Sequence, residues 1–554
     1  DELVAQRRDD PNLLAVQARA HYRLADISDE TGETEKAESE YETALGIQQR
    51  ACETYPSNDA YRRDWAESFA ALGRLYRKTG KFDEAEEAVQ EALRVCRQLA
   101  DGDPENQREL ADSHAELGKL MEDLARPEEA MDARQAELAI REELANGHPD
   151  TAEYRRELAA CLASIGCSHC ELGELEKAES CYKRALDIAE GLPQKDSPEN
   201  HDALAVAYSN IGLFYQLTGR LDEAQAKLEQ AQEIMADLAN EHRAVPRYSN
   251  NLAIGWQSLA LVHRAKERFE DSESALKSAI AISERLVTDF PDLLQCQVDR
   301  ALGYYQLADH YLAVANYHLA AGQAEAAEEA ALAALEAAKR AVDELTRLDE
   351  DHPAVPAHRE RLVTGRVQHS ETCAKLGEVA EHEGAFEEAR RWYTVALDAR
   401  LKLEEEESPD PYLGYQVLLS AMKRAMLCGK QGRHADALAD WQLAIDRAPP
   451  GMRRSFEMEA ALSLARSGDH AAGATRAEEI LIGLGTSAGE GGRTRESAPT
   501  VSEEIVTGRE VLAPQTPPRS RGPREIRVEL SAGWGWLVAL ALALAVIWLL
   551  LFKG

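Results

Sequence analysis

Four cysteines close together in the sequence are the residues best spaced to bind a metal ion. They are Cys161, Cys167, Cys170 and Cys181. Cys167 and Cys170 have the two-residue spacing found in zinc sites, but zinc needs four ligands that converge tetrahedrally. On a helix Cys161 lies nearly two turns from Cys167, and Cys181 falls on the next predicted helix. Small apolar residues packed in a helical core explain these cysteines better, so we predict no metal site.

We find no sequence motif that indicates a catalytic site. The chain lacks the HExxH pattern of metalloproteases, the Walker loop that cradles phosphates and the GxGxxG fingerprint of dinucleotide-binding proteins. Pairs of carboxylates carry no information in a chain with 99 Asp and Glu residues. We therefore predict a protein that is not an enzyme and that takes no cofactor and no small-molecule substrate.

The charge balance narrows the class of macromolecular partner. The chain has 63 Lys and Arg residues against 99 Asp and Glu residues, which gives a net charge of -36. A surface this acidic repels phosphate backbones, so we expect no nucleic-acid binding. The hydrophobic fraction of 44% is too high for a chain that is disordered throughout. These features favour a folded protein whose partner is another protein or peptide.

A spacing of small residues recurs along the chain and predicts pairs of helices. In residues 70–95, 163–188 and 209–234, a first Gly is followed by a second Gly seven residues later and by an Ala five residues after that. Small residues let two helices approach closely, and the second Gly ends the first helix. The first small residue, which we call the marker, occurs at positions 25, 73, 118, 166, 212, 260, 308, 377 and 425. All but one of the intervals are 45 to 48 residues, so we predict nine helix pairs.

This spacing resembles the tetratricopeptide repeat (TPR). The units are longer than the 34 residues of that family, and they are similar to the long repeats of kinesin light chains and of planctomycete-type bacterial arrays. The resemblance implies an all-α fold, an α-solenoid of antiparallel helix pairs over residues 1–482 that ends in a weak capping unit at 460–481. The long interval contains the insertion AVANYHL after Leu312 and a long connection at 349–361, where we expect a kink or a change of pitch.

The resemblance also implies that the first helices line a concave groove, in which residues one and four positions after each marker face a partner. We predict a docking site for a helix or an extended segment, because the middle of this groove is less charged than the rest of the chain. Burial of these positions between the lengthened helices is the alternative that the sequence leaves open. The candidate residues are Arg74, Arg77, Lys119, Cys167, Cys170, Leu213, Gln216, Leu261, Arg264 and Leu312.

The C-terminal region predicts a membrane anchor. Residues 483–532 are rich in Gly, Ser, Thr and Pro and predict a disordered linker. Residues 533–552 predict a transmembrane helix, because the 19 uncharged residues from Trp534 to Phe552 would span about 28 Å as a helix. Four Arg residues between 519 and 527 precede this segment, so the positive-inside rule predicts a single-pass protein whose soluble part is cytoplasmic, in a bacterial inner membrane.

Taken together, these features predict a membrane-anchored scaffold that docks a segment of a partner protein in the groove of a TPR array. The alternative is the regulatory or sensory part of a larger signalling protein, such as a Ser/Thr kinase whose catalytic domain precedes Asp1. Arrays of the planctomycete type are often joined to such kinases, although this chain has no HRD or DFG motif.

Overall fold

Twenty α-helices and no strand form the part of the chain that the computed structural model describes, which is residues 11–99, 102–193, 197–353, 355–406 and 411–487. The prediction of an all-α helical repeat is thereby confirmed. The helices are α1 Pro11–Glu30, α2 Thr34–Thr54, α3 Asp59–Lys78, α4 Phe82–Leu99, α5 Pro104–Asp123, α6 Pro127–Gly147, α7 Ala152–Glu171, α8 Leu175–Glu190, α9 Pro198–Leu217, α10 Leu221–Glu241, α11 Pro246–Ala265, α12 Phe269–Asp289, α13 Leu294–Ala320, α14 Ala324–Asp351, α15 Pro356–His382, α16 Phe386–Glu406, α17 Pro411–Lys430, α18 His434–Arg447, α19 Pro450–Arg466 and α20 His470–Ser487.

The two helices of a pair are joined by a short turn through a left-handed residue. At the end of α3, Gly80 has a φ of 74°, and its N–H donates to the carbonyl oxygen of Arg77. The N–H of Lys81 donates to the carbonyl oxygen of Tyr76, which completes a Schellman motif. The turn after α5 has the same geometry, although its left-handed residue is Ala125, with a φ of 54°.

Proline and capping side chains begin several of the first helices. Pro104, Pro198 and Pro246 begin α5, α9 and α11, where the missing N–H would have no partner in the helix. The side chain of Asn58 caps α3 by accepting a hydrogen bond of 3.1 Å from the N–H of Ala60. These signals start successive first helices at equivalent positions, which keeps the marker residues in phase.

The marker glycines pack against large side chains of the second helix, as the spacing predicted. A Cβ atom added to any of the three aligned glycines would lie at or below 3.0 Å from a side chain sixteen residues further on. The two helices of each pair therefore touch where the marker has no side chain. From such an added Cβ atom, Val89 would lie 2.8 Å from Gly73, the Tyr182 ring 3.0 Å from Gly166, and Leu228 2.9 Å from Gly212.

The described residues form two compact units. Unit 1 contains residues 11–303 and 343–362, and unit 2 contains residues 304–342 and 363–487. Within unit 1 the turn at Gly32 lies against residue 352, because a Cβ on Gly32 would lie 2.5 Å from Nδ1 of His352. Within unit 2 the Trp441 ring stacks on the Phe456 ring with 6.0 Å between the centroids.

The insertion predicted after Leu312 lengthens the helices around it. The marker role passes from Ala308 to Ala315, which Gly322 follows as the turn residue with a φ of 74°. Seven residues are two helical turns, and α13, α14 and α15 have 27, 28 and 27 residues. The expectation of a long connection at 349–361 is wrong, because α14 continues to Asp351 and α15 begins at Pro356.

The predicted membrane helix at 533–552 lies outside the described residues, and so does the predicted linker from residue 488 onward. The first five residues of that linker, 483–487, are helical and belong to α20. None of the described helices is both long enough and apolar enough to cross a bilayer.

Candidate partner-binding groove

The first helices of neighbouring pairs lie side by side in unit 1. Polar contacts join residues on successive first helices, about one repeat apart. The side chains of α3, α5 and α7 are linked in this way, as are those of α9 and α11, and we call the surface they form the first-helix face. The contacts are Arg77 with Asp123 at 2.7 Å, Ser168 with Glu122 at 3.0 Å, and Asn251 with Asp202 at 2.9 Å.

Three of the four predicted cations occupy the end of this face formed by the second and third pairs. Arg77 forms an ion pair with Asp123 in which both side chains are largely buried. Lys119 lies 3.0 Å from Glu116 and Arg74 lies 4.0 Å from it, and the Arg74 side chain is 43% exposed. Burial alone would raise the pKa of the Glu116 carboxyl, but Lys119, Arg74 and Arg77 lower it below its usual value. Of these three cations, Arg74 is the one that solvent reaches most.

The predicted cysteines are buried in the fourth pair. Cys167 and Cys170 are each 7% exposed, and both lie within hydrogen-bonding reach of the Tyr182 hydroxyl. Burial raises the pKa of the Cys170 thiol to about 11 and that of Cys167 still further. Both are therefore protonated at neutral pH and are poor nucleophiles. In the ranges that the structure covers, no three residues of the His, Cys, Asp and Glu types are grouped so that they could hold a metal ion.

Four predicted residues lie on the first helices of the fifth and sixth pairs. Leu213 is buried at 4% exposure, whereas Gln216, Leu261 and Arg264 are half-buried and reach the surface. In unit 2 Leu312 is also half-buried, three residues before the corrected marker Ala315.

Two further residues that the sequence analysis missed belong to the same surface. Val206 and Ile254 are half-buried. They lie seven residues, or two helical turns, before Leu213 and Leu261, and therefore on the same side of their helices. The marker spacing extended two turns toward the N-terminus would have predicted them. We call Val206, Ile254 and Leu261 the apolar strip.

A buried charge network replaces the apolar contact in the third pair. Arg134 is 4% exposed and lies against the marker Gly118, at the position that Val89 and Tyr182 occupy in other pairs. Its guanidinium lies 3.1 Å from Glu122 and 3.5 Å from Glu137. An Arg sixteen residues after a marker breaks the apolar pattern, so the spacing alone could have predicted a polar contact in this pair.

Carboxylates crowd the first helices near this network. Glu109 of α5 is half-buried, and burial is the main reason that its pKa rises to about 7. The neighbouring carboxylates of Asp112 and Glu67 raise it further. The charged end of the face is therefore acidic on one side and carries the exposed cation Arg74 on the other.

Two family models described as tetratricopeptide repeat match four segments of the chain. One matches residues 65–105 and 158–199, and the other matches residues 18–50 and 205–237. These segments coincide with the second, fourth, first and fifth helix pairs.

One curated relative and two solved structures give further comparisons. Regulatory protein RapG of Bacillus subtilis (strain 168) is 26% identical over 161 residues, which are 29% of this chain and 39% of RapG. The chain thus spans well under half of that relative's length. The crystal structure of BtubC (BKLC) from P. vanneervenii is 23% identical with a TM-score of 0.38, covering 46% of this chain and 92% of that chain. The apo form of RapI is 12% identical with a TM-score of 0.41, covering 77% of this chain and 99% of that chain.

Proposed function

Because the chain carries tetratricopeptide repeats, we propose that it is a protein-interaction scaffold and that the first-helix face of unit 1 holds a helix or an extended segment of a partner protein. The observation that carries this proposal is the apolar strip. Its side chains are half-buried on first helices that lie side by side, in a protein whose net charge is -36. An amphipathic segment gains by covering such a strip, since apolar area leaves water on docking.

The charged end gives the site a direction. Arg74 lies on the second pair, at one side of the strip, and its side chain remains 43% exposed beside Glu116. A partner segment with apolar residues over the strip and a carboxylate near Arg74 would have its orientation set by that charge. Such a rim contact adds little affinity by itself and acts mainly on specificity.

Site-specific photo-crosslinking in cells tests the face. A photoreactive residue at Gln216 or at Leu261 is expected to capture the same polypeptide. The same residue at Leu175, which is 43% exposed but lies on the second helix α8, is the matched control and should not capture it. Leu261→Glu should abolish capture at Gln216 without loss of helical signal. Equal capture at Leu175, or different polypeptides at the two test positions, would refute the assignment.

We propose in addition that residues 533–552 anchor the scaffold in a membrane, with the soluble part in the cytoplasm. The 19 uncharged residues from Trp534 and the Arg residues before them support this proposal. Carbonate extraction of the full chain should leave it in the membrane pellet, and removal of residues 533–554 should release it. Leu544→Arg, which places a charge mid-span at a cost of about 2.5 to 3.5 kcal/mol, should weaken retention. Full solubility of the unaltered chain would refute the anchor.

A further inference from the structure

The turns of the first two helix pairs contact segments of unit 1 that lie much further along the chain. A Cβ atom added to Gly32 would lie 2.8 Å from Cε1 of His352 and 3.1 Å from Cδ2 of Leu294, which begins α13. A Cβ atom added to Gly80 would lie 3.9 Å from Cγ of Pro356, which begins α15. We call these meeting segments the closing contact; they are residues 29–33, 78–81, 294, 348–353 and 355–361.

One lysine joins the two turns within the closing contact. The ammonium group of Lys78 donates a hydrogen bond of 2.7 Å to Oδ1 of Asp29, and the Lys78 side chain is 25% exposed. The same cation lies close enough to the ring of His358 to act on its charge. Lys78 is therefore placed where both turns meet the beginning of α15.

His358 is buried in the closing contact as a neutral ring. It is 3% exposed, and its ring centroid lies 6.0 Å from that of His352. The ring donates to the backbone oxygen of Leu348, whereas Nδ1 has no hydrogen-bond partner among the described residues. A proton on Nδ1 would create a buried N–H group without an acceptor, which is costly.

The groups around the His358 ring also oppose a charge on it. Two carboxylates compensate these groups: Asp29 bonds to the lysine, and Asp299 of α13 interacts electrostatically with the arginine. Burial raises the pKa of the Asp299 carboxyl to about 6, so its compensation weakens below that pH. The groups that oppose the charge are Arg361 of α15, His352 after α14 and Lys78 of α3.

The closing contact therefore prefers the neutral form of His358. Burial is the main cause that lowers the pKa of His358 from 6.5 to about 4, and the neighbouring cations lower it further. A group with a lowered pKa takes up its proton more readily when the contact is open. The contact is at full strength above about pH 6.5 and weakens as the pH falls from there toward about 4.

We propose that the closing contact is a pH-sensitive latch, which holds the first helix pair against the α14–α15 turn while His358 is neutral and opens when His358 takes up a proton. The helix pairs themselves stay folded, because contacts such as that of Gly73 with Val89 do not involve this ring. The first-helix face belongs to the same unit, so an open latch would free the first pair to move beside it. That consequence rests on the proposed function, whereas the latch itself does not.

Hydrogen exchange measured by mass spectrometry on the full chain in detergent tests the latch. The unaltered protein and His358→Gln are compared at the same pH, so that intrinsic exchange rates cancel. Glutamine keeps a donor for the Leu348 carbonyl but takes up no proton. Between pH 8 and pH 5.5 the lowered pKa predicts about 10-fold more opening of the unaltered protein. Peptides covering 27–33 and 348–361 should gain about that factor in exchange rate relative to His358→Gln, and peptides from α6 should not.

Two further variants serve as control and as a test of the contact. His201→Gln removes an exposed histidine of α9 and should respond to acid as the unaltered protein does. Gly32→Ala, whose added Cβ displaces His352, should speed exchange of the 348–361 peptides at both pH values. Circular dichroism checks that all four proteins have the same helical content.

A local acid response that is present in the unaltered protein and in His201→Gln, and absent from His358→Gln, supports the latch. An equal acid response in His358→Gln would refute it, and so would a response that extends equally to α6. Unchanged exchange of the 348–361 peptides in Gly32→Ala would refute the contact on which the latch depends.

Discussion

Replacing Gly by Ala should have opposite effects at two helical positions of neighbouring pairs. Gly73 in α3 touches the second helix of its pair, and a Cβ there would lie 2.8 Å from Cγ2 of Val89. Gly46 in α2 is exposed, and a Cβ there would meet no atom within 4 Å. Gly46→Ala therefore measures helix propensity alone, and Gly73→Ala measures propensity plus the close contact.

The expected magnitudes follow from the contacts. Ala is favoured over Gly inside a helix by about 1 kcal/mol, so Gly46→Ala should stabilise α2 by about that amount. Val89 is 2% exposed and branched at Cβ, so it has little room to move. Overpacking of this kind costs about 1 to 3 kcal/mol, which offsets the propensity gain at Gly73. The two variants should therefore differ by about 1 to 3 kcal/mol.

Native-state hydrogen exchange measured by mass spectrometry suits this comparison, because a protein with two compact units need not unfold in one step. Peptides from α3 and α4 report on Gly73→Ala, and peptides from α2 report on Gly46→Ala. In the double variant Gly73→Ala/Val89→Ala the penalty at Gly73 should disappear, since the Cγ2 methyl group is gone. A stabilising Gly73→Ala, or a penalty that survives in the Val89→Ala background, would refute the packing argument.

Three further predictions concern the turns and one carboxylate. Ala125→Gly should stabilise the third pair by about 1 kcal/mol in urea unfolding, because a φ of 54° strains a residue with a Cβ; a lower midpoint would contradict this. Burial raises the folded-state pKa of Glu109 from 4.5 to about 7, so its ionised form destabilises the fold above pH 7, and this penalty is gone once the pH falls below about 4.5. Glu109→Gln should therefore stabilise the protein at pH 8 and change it little at pH 4, and equal effects at the two pH values would rule this out. Gly32→Ala should cost more stability than Gly173→Ala, although the two glycines have similar φ values of 78° and 74°. The reason is that His352 occupies the space where a Cβ on Gly32 would lie, whereas a Cβ on Gly173 would meet no atom within 4 Å. Equal losses of stability in the two variants would exclude the contact with His352.

The repeat could be predicted from local spacing because its main contact is made within one helix pair. Gly73 and Val89 are sixteen residues apart, and the turn residue Gly80 lies between them, so one short window of sequence contains the whole interaction. The long connection predicted at 349–361 was wrong because the charged residues at 349–351 continue α14, and charge is compatible with an exposed helix surface.

The surface of the repeat could be predicted less well, because it depends on contacts between pairs. Arg77 and Leu213 occupy the positions that the marker frame predicts, yet both are buried. Arg77 is buried against its ionic partner, Asp123. Asp123 lies in the next helix pair, almost a full repeat further along the chain. Leu213 joins a core cluster that includes residues of neighbouring pairs. Spacing within one pair contains no information on either contact.

The polar contact at Gly118 limits how the array can be rearranged by recombination. The second, fourth and fifth pairs use the same apolar contact between marker and second helix, so exchanging one for another would conserve that joint. The third pair instead relies on Arg134 and its two carboxylates, and Glu122 also accepts a hydrogen bond from Ser168 in the fourth pair. A duplication or deletion that separated Arg134 from these partners would leave a buried charge without its counterion. The third pair is thus constrained to be kept whole, and the buried ion pair between Arg77 and Asp123 ties it to the second pair as well.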